Sequence, residues 1–147
     1  MVYTVKLQRF KRYFNNQLKG KRIAIWGLSF KPDTDDIRES PSLVIINSLL
    51  KAGVQINAYD PAAMDEVKKV LGSVIEYSSD PYDATIDADA LVLVTEWREF
   101  RVLNYGILKN NMKNKVIFDG RNIYEPKEVL EEDFDYICIG RNTSKNF

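Results

Sequence analysis

The chain has 147 residues, 45% hydrophobic and 29% charged, with 21 basic groups balancing 21 acidic ones. That length suits one folded domain, the composition suits a soluble globular protein, and the zero net charge argues against a general nucleic-acid binder. With no histidine, Ser-His hydrolysis, His-ligated zinc and imidazole acid–base chemistry are excluded.

The beginning of the chain is one-sidedly basic. The first 22 residues carry Lys6, Arg9, Lys11, Arg12, Lys19, Lys21 and Arg22 and no acid. Such a run reads as a solvated helix face, or as a segment lying on an acidic surface or beside further protein. Residues 2–19 form the first predicted element, an amphipathic helix. Tyr3, Leu7, Phe10, Phe14 and Leu18 fall three or four apart on one stripe, and Gly20 stands where it would end the helix. Left exposed, Leu7, Phe10 and Phe14 would drive self-association. No apolar run approaches the ~20 residues needed to span a bilayer, and no signal-peptide core is present, so no membrane association is expected.

From Arg22 onward, predicted strands and helices alternate. Strands are expected at Arg22–Trp26, Val54–Tyr59, Val74–Tyr77, Ala90–Thr95, Val116–Phe118 and Tyr136–Ile139. Apolar runs such as Ile23-Ala24-Ile25-Trp26 and Ala90-Leu91-Val92-Leu93-Val94 suit strands buried on both faces of a parallel sheet. Helices are expected near 41–52, 63–71, 81–86, 104–112 and 126–132. The first has clear punctuation: Ser40 as N-cap, Pro41 in the first turn and Gly53 as the stop, with Leu43, Ile46, Leu49 and Leu50 facing the core. The fold class is therefore α/β, a doubly wound, mainly parallel, six-stranded Rossmann-like sheet preceded by an amphipathic helix.

Ligands of such folds bind at the carboxyl ends of the strands. After the first strand a dinucleotide fold would show G-x-G-x-x-G; here Gly27 is followed by Ser29 and Pro32 instead. The loop 27–40, GLSFKPDTDDIRES, is long and charged. Lys31 and Arg38 are suited to phosphate, as point charge and as planar fork respectively, and the acids around them would hold those cations when no ligand is present. A self-satisfied surface loop remains an equal alternative. Asp33, Asp35 and Asp36 lack the spacing of a calcium loop, so no metal is expected.

Four segments in order, GKRIAIWGLSFKPDTDDIRESPS at 20–42, YDP at 59–61, LVTEWREF at 93–100 and FDGRNIY at 118–124, resemble the UDP-glucose/GDP-mannose dehydrogenase family in its C-terminal UDP-binding domain. The resemblance runs from about Gly20 to Arg141, and Thr95-Glu96-Trp97 is more similar to UDP-glucose 6-dehydrogenases than to the GDP-mannose or UDP-N-acetylmannosamine enzymes. It implies a longer, cytoplasmic, homodimeric parent enzyme that oxidises the C6 alcohol of a UDP-sugar with NAD. Residues 1–20 would be the end of its central connecting helix, and 21–147 its nucleotide-sugar-binding domain. Residue by residue, Phe30, Lys31 and Arg121 match nucleotide-sugar contacts and Arg38 matches an arginine reaching toward NAD. A structural salt bridge is the alternative for Arg121, and apolar packing is favoured for Trp97 and Phe100.

The departures limit what this chain does alone. The glycine fingerprint for NAD is missing, and the family's catalytic cysteine lies in a glycine-rich segment unlike Asp135-Tyr136-Ile137-Cys138-Ile139. The single cysteine, Cys138, cannot form an internal disulfide, suits a reducing compartment and reads as a small core hydrophobe. No catalytic residue is therefore assigned. Three rivals stand beside this reading: a regulatory module on the same fold without ligand, a complete small NAD-binding domain, and a phosphoacceptor receiver domain. Broken glycines disfavour the second, and Asp60-Pro61 lacks the acidic partners that the third requires.

Overall fold

In the computed structural model, residues 2–138 are described, with side chains from Gln8 onward, so Tyr3, Leu7, Ile139 and Arg141 fall wholly or by their side chains outside the described residues. The chain runs α1 (Val2–Tyr13), β1 (Arg22–Trp26), α2 (Pro41–Lys51), β2 (Gln55–Tyr59), α3 (Met64–Leu71), β3 (Glu76–Tyr77), β4 (Ala90–Leu93), α4 (Tyr105–Asn111), β5 (Val116–Asp119), α5 (Pro126–Glu131) and β6 (Asp135–Cys138). All six strands lie in one sheet in the order β3-β2-β1-β4-β5-β6, and every pairing is parallel. This is the doubly wound order, with its switch point between β1 and β4. Ile23 to Trp26 pair with Ala90 to Leu93, which brings the carboxyl ends of both strands to one edge.

The sheet is buried on both faces, as its continuous apolar strands require. One core cluster joins Ile23, Ile25, Val92 and Phe118 to Ile46 and Leu49 of α2 and Val67 of α3. The other joins Trp26, Leu91, Leu93, Ile117 and Tyr136 to Leu108 of α4 and Val129 of α5. Cys138 is buried in that second cluster, on the last described residue of β6. In α2, Ser40 caps the helix by accepting the Ser42 N–H, Pro41 opens it, and Ile46 and Leu49 are buried while Leu43 and Leu50 pack partly buried against the same core.

Three predicted elements need correction. The first helix ends at Tyr13, well short of Gly20. Asn15 and Asn16 take left-handed φ values of 53° and 62°, and their N–H groups donate to the Arg12 and Lys11 carbonyls at 3.1 and 2.7 Å. That pair of bonds closes the helix in a Schellman turn, which short polar asparagine tolerates without glycine. Nor is the aromatic stripe an exposed surface. Phe10 and Phe14 are buried, and the Phe10 ring lies 4.5 Å from that of Phe118 in β5. Tyr13 donates to the Asp135 carboxylate at 2.7 Å, and Arg9 donates to the Cys138 carbonyl at 2.6 Å. Helix α1 thus covers β5 and β6 on the face that α2 and α3 cover elsewhere.

The second correction concerns 81–86, which holds only a 3-10 turn, Asp83–Thr85. Asp80 starts it by accepting the Tyr82 and Asp83 N–H groups at 2.8 and 3.2 Å, a local turn that stops after three residues. Third, the strand expected at Val74–Tyr77 shrinks to Glu76–Tyr77. Gly72–Val74 forms a 3-10 turn and leaves Val74 exposed at the sheet's edge.

Candidate functional site

The loop leaving β1 is built by groups inside the protein. Gly27 has φ 96°, and a Cβ there would lie 2.5 Å from the Thr95 backbone nitrogen, so the loops after β1 and β4 touch only because residue 27 has no side chain. Thr95 donates its hydroxyl to the Ser29 carbonyl at 2.6 Å. Trp97 Nε1 lies within hydrogen-bond distance of Ser29 Oγ at 3.2 Å and Asp60 Oδ2 at 3.1 Å. Apolar contact alone therefore does not describe Trp97. Phe100 is apolar core: it is fully buried and stacks on Trp26 with centroids 5.0 Å apart.

Asp60, at the end of β2, is fully buried. Its Oδ2 accepts the Leu28 and Ser29 N–H groups at 2.7 and 3.1 Å, and its Oδ1 accepts those of Ala62 and Ala63 at 2.8 Å each. On the other side, Ser42 donates its hydroxyl to the Leu28 carbonyl at 2.7 Å, and the Ser40 hydroxyl lies 2.8 Å from the same oxygen. The backbone donors that a dinucleotide fold turns toward pyrophosphate are here satisfied by a carboxylate of the chain itself.

The candidate ligand residues project from this fixed base. Phe30 is half exposed, its N–H donating to the Asp36 carbonyl at 2.7 Å. Lys31 is exposed and forms no ion pair among the described residues, although its charge acts on Asp36. Arg38 is held by Asp36 as a two-toothed pair, Nε to Oδ1 at 3.0 Å and a terminal nitrogen to Oδ2 at 2.9 Å. Hydrogen bonds from the Arg38 side chain, then from its backbone, push the Asp36 carboxyl down to about 2. The acids of this loop thus do hold a cation, by way of Asp36.

Arg121 stands on the loop after β5, where Asp119 is the second buried carboxylate. Its guanidinium donates through Nε to Glu96 on the loop after β4 at 2.6 Å. The salt bridge weighed for Arg121 is therefore present. With the Glu96 side chain 18% and that of Arg121 40% exposed, the Arg121 charge still faces solvent. The structure pairs Arg38 with Asp36, on whose carboxyl the Lys31 charge also acts, and Arg121 with Glu96. Thr95 and Trp97 tie the β4 loop to the β1 loop.

Sequence reasoning did not assign roles to Asp60, Asp119, Thr95 and Glu96, although each lies in one of the quoted segments. An acid directly after a predicted strand, as in Tyr59-Asp60-Pro61 and Phe118-Asp119-Gly120, was the available signal. Among the described residues no three His, Cys, Asp or Glu side chains gather as a metal site, and no helix is long and apolar enough to cross a membrane. What the edge offers is cations and an aromatic ring on a hydrogen-bonded base, groups whose chemistry is compatible with phosphate and a planar group.

The model for the UDP-glucose/GDP-mannose dehydrogenase family, UDP binding domain, matches residues 24–126. A UDP-glucose 6-dehydrogenase of Rhizobium meliloti (strain 1021) is 44% identical over 124 residues, covering 84% of this chain and 28% of that protein. Among solved structures, an NDP-N-acetyl-D-galactosaminuronic acid dehydrogenase from Methanosarcina mazei Go1 superposes with TM-score 0.80 at 28% identity, covering 96% of this chain and 29% of that one. A UDP-glucose dehydrogenase from Pyrobaculum islandicum gives TM-score 0.76 at 28% identity, covering 95% and 29%. The chain thus spans less than a third of the length of these relatives.

Proposed function

This chain belongs to the UDP-glucose/GDP-mannose dehydrogenase family, as its UDP binding domain, and from that premise we propose that it binds the UDP part of a UDP-sugar at the carboxyl ends of β1, β4 and β5. Phe30 supplies a planar apolar contact, Lys31 a point charge for phosphate, and Arg121 a guanidinium that exchanges Glu96 for an anionic ligand. The observation that carries the reading is the bonding of the three loops to one another, Thr95 to Ser29, Trp97 to Ser29 and Asp60, and Arg121 to Glu96. A site assembled from separate loops must be held this way to meet one ligand.

The parent activity we infer is that of an NAD-dependent UDP-glucose 6-dehydrogenase, after the names of the relatives and the family resemblance of the four quoted segments; we read that parent as cytoplasmic and homodimeric. The residues present here do not fit NAD as a resident cofactor. The β1 loop has no glycine fingerprint, and the Leu28 and Ser29 N–H groups are bound to Asp60. Arg38 is assigned to reach toward NAD held by protein outside this chain. The chain by itself therefore binds and does not oxidise.

Calorimetric titration with UDP and with UDP-glucose tests this. Heat and a raised Tm at millimolar ligand are expected; the absence of both signals would overturn the binding role. NADH formation from UDP-glucose by the pure chain would overturn the statement that it does no chemistry.

A further inference from the structure

We propose that Asp119 is a positioning residue for Arg121, fixing through the backbone the direction in which that guanidinium meets an anionic ligand. Asp119 is the last residue of β5 and is 1% exposed. Its Oδ1 accepts the Arg121 and Asn122 N–H groups, both at 2.8 Å, and its Oδ2 accepts those of Ile123 and Tyr124 at 2.9 and 3.1 Å. Tyr136 of β6 donates its hydroxyl to the same Oδ2 at 2.6 Å. Four successive backbone donors on one buried carboxylate leave the turn 120–124 little freedom. Charge-assisted bonds of this kind are among the stronger ones in proteins.

The turn is also fixed at its start and in its middle. Gly120 donates its N–H to the Leu93 carbonyl at the end of β4, at 2.9 Å, and Asn122 holds a left-handed φ of 59°. The backbone around Arg121 is therefore held by Asp119 and, through Gly120, by the end of β4. Glu96, three residues beyond Leu93, is what the arginine reaches. A flexible arginine on a free loop would lose rotamer and backbone freedom on binding; here much of that ordering precedes the ligand.

The part of this proposal that concerns ligand rests on the reading that Arg121 meets the nucleotide sugar, and the experiment separates the two. The full chain is made as wild type, Asp119→Asn, Arg121→Ala and the double variant, with Tyr136→Phe as a gentler removal of one bond. First, the Arg121 Nε–H signal is followed by NMR without ligand. It is expected to be slowly exchanging in the wild type, weaker in Tyr136→Phe and lost in Asp119→Asn. An unchanged signal in a folded Asp119→Asn protein, or in Tyr136→Phe where Asp119→Asn does not fold, overturns the proposal whatever UDP does.

Second, UDP affinity is measured across the cycle. Asp119→Asn and Arg121→Ala are each expected to weaken UDP about tenfold, and the double variant no more than either alone. Additive losses would mean that Asp119 acts on the fold at large and would overturn the positioning role. Loss of the signal in Asp119→Asn with no UDP effect of Arg121→Ala removes the nucleotide assignment of Arg121 and with it the ligand part of the proposal, while the backbone control of the guanidinium stands.

Discussion

Gly27 and Thr95 approach each other so closely that a methyl group on Gly27 would sit 2.5 Å from the Thr95 nitrogen and 2.6 Å from its Cβ. Both walls of that contact are backbone or the stem of a buried side chain, so neither yields cheaply. Gly27 also has φ 96°, outside the range comfortable for L residues. Gly27→Ala is expected to destabilise the chain by at least ~2 kcal/mol through clash and strain together. Gly20→Ala is the control, since its φ is 83° with nothing within 4 Å, and strain alone predicts a loss of ~1 kcal/mol. Chemical denaturation compares them; equal losses would remove the steric argument.

Helix α1 behaves as part of the core in these contacts. Phe10 is 4% exposed and packs its ring against those of Phe14, in the turn that closes its helix, and Phe118 of β5. Phe10→Ala should therefore lower unfolding free energy by ~3 kcal/mol, as for other buried phenylalanines. A loss within ~0.5 kcal/mol, the size of an ordinary surface change, would show that the helix is merely appended.

The ligand assignments give unequal expectations. Lys31→Ala removes an exposed charge and should weaken UDP about tenfold with no change in Tm. Arg121→Ala should weaken UDP similarly but also lower Tm slightly, because Glu96 is left half-buried without its partner. Titration calorimetry and thermal unfolding on the same samples read both effects, and unchanged UDP affinity in the pair of variants would favour a ligand-free interaction module.

Asp36 provides a test by pH. Its carboxyl titrates near 2 because Arg38 donates to the charged form. A depressed carboxyl pKa means that the pair's contribution is present above the ordinary value of 3.8 and is lost as pH falls through about 2. Carboxyl-carbon NMR should show Asp36 titrating near 2 in the wild type and returning toward 3.8 in Arg38→Ala. An Asp36 midpoint near 3.8 in the wild type would mean that Arg38 is not held there in solution.

Much of the architecture is legible in the residues. Continuous apolar runs such as Ile23–Trp26 mark doubly covered strands, and Ser40, Pro41 and Gly53 bracket α2. The two misread helices share a cause: a local polar group overrode the apolar period. Asn15 and Asn16 ended α1 before its stripe ran out, and Asp80 turned the chain into one short 3-10 turn where a helix was expected. In the site, the cations and Phe30 are visible as residue types. What holds them is not, because Asp60 reaches back to residues 28 and 29, and Arg121 meets Glu96 twenty-five positions away. Such partners are set by strand order.

The buried carboxylate of Asp60 has an electrostatic consequence. With the innermost backbone donors already neutralised, the charges left for an incoming phosphate are side chains near the surface, of which Lys31 and Arg38 are well exposed. Their field in water fades over roughly 8–10 Å at physiological ionic strength. A ligand caught by such charges is sensitive to dissolved salt in a way that one seated on a glycine-rich helix terminus is not. Recognition at this edge should loosen steadily as ionic strength rises.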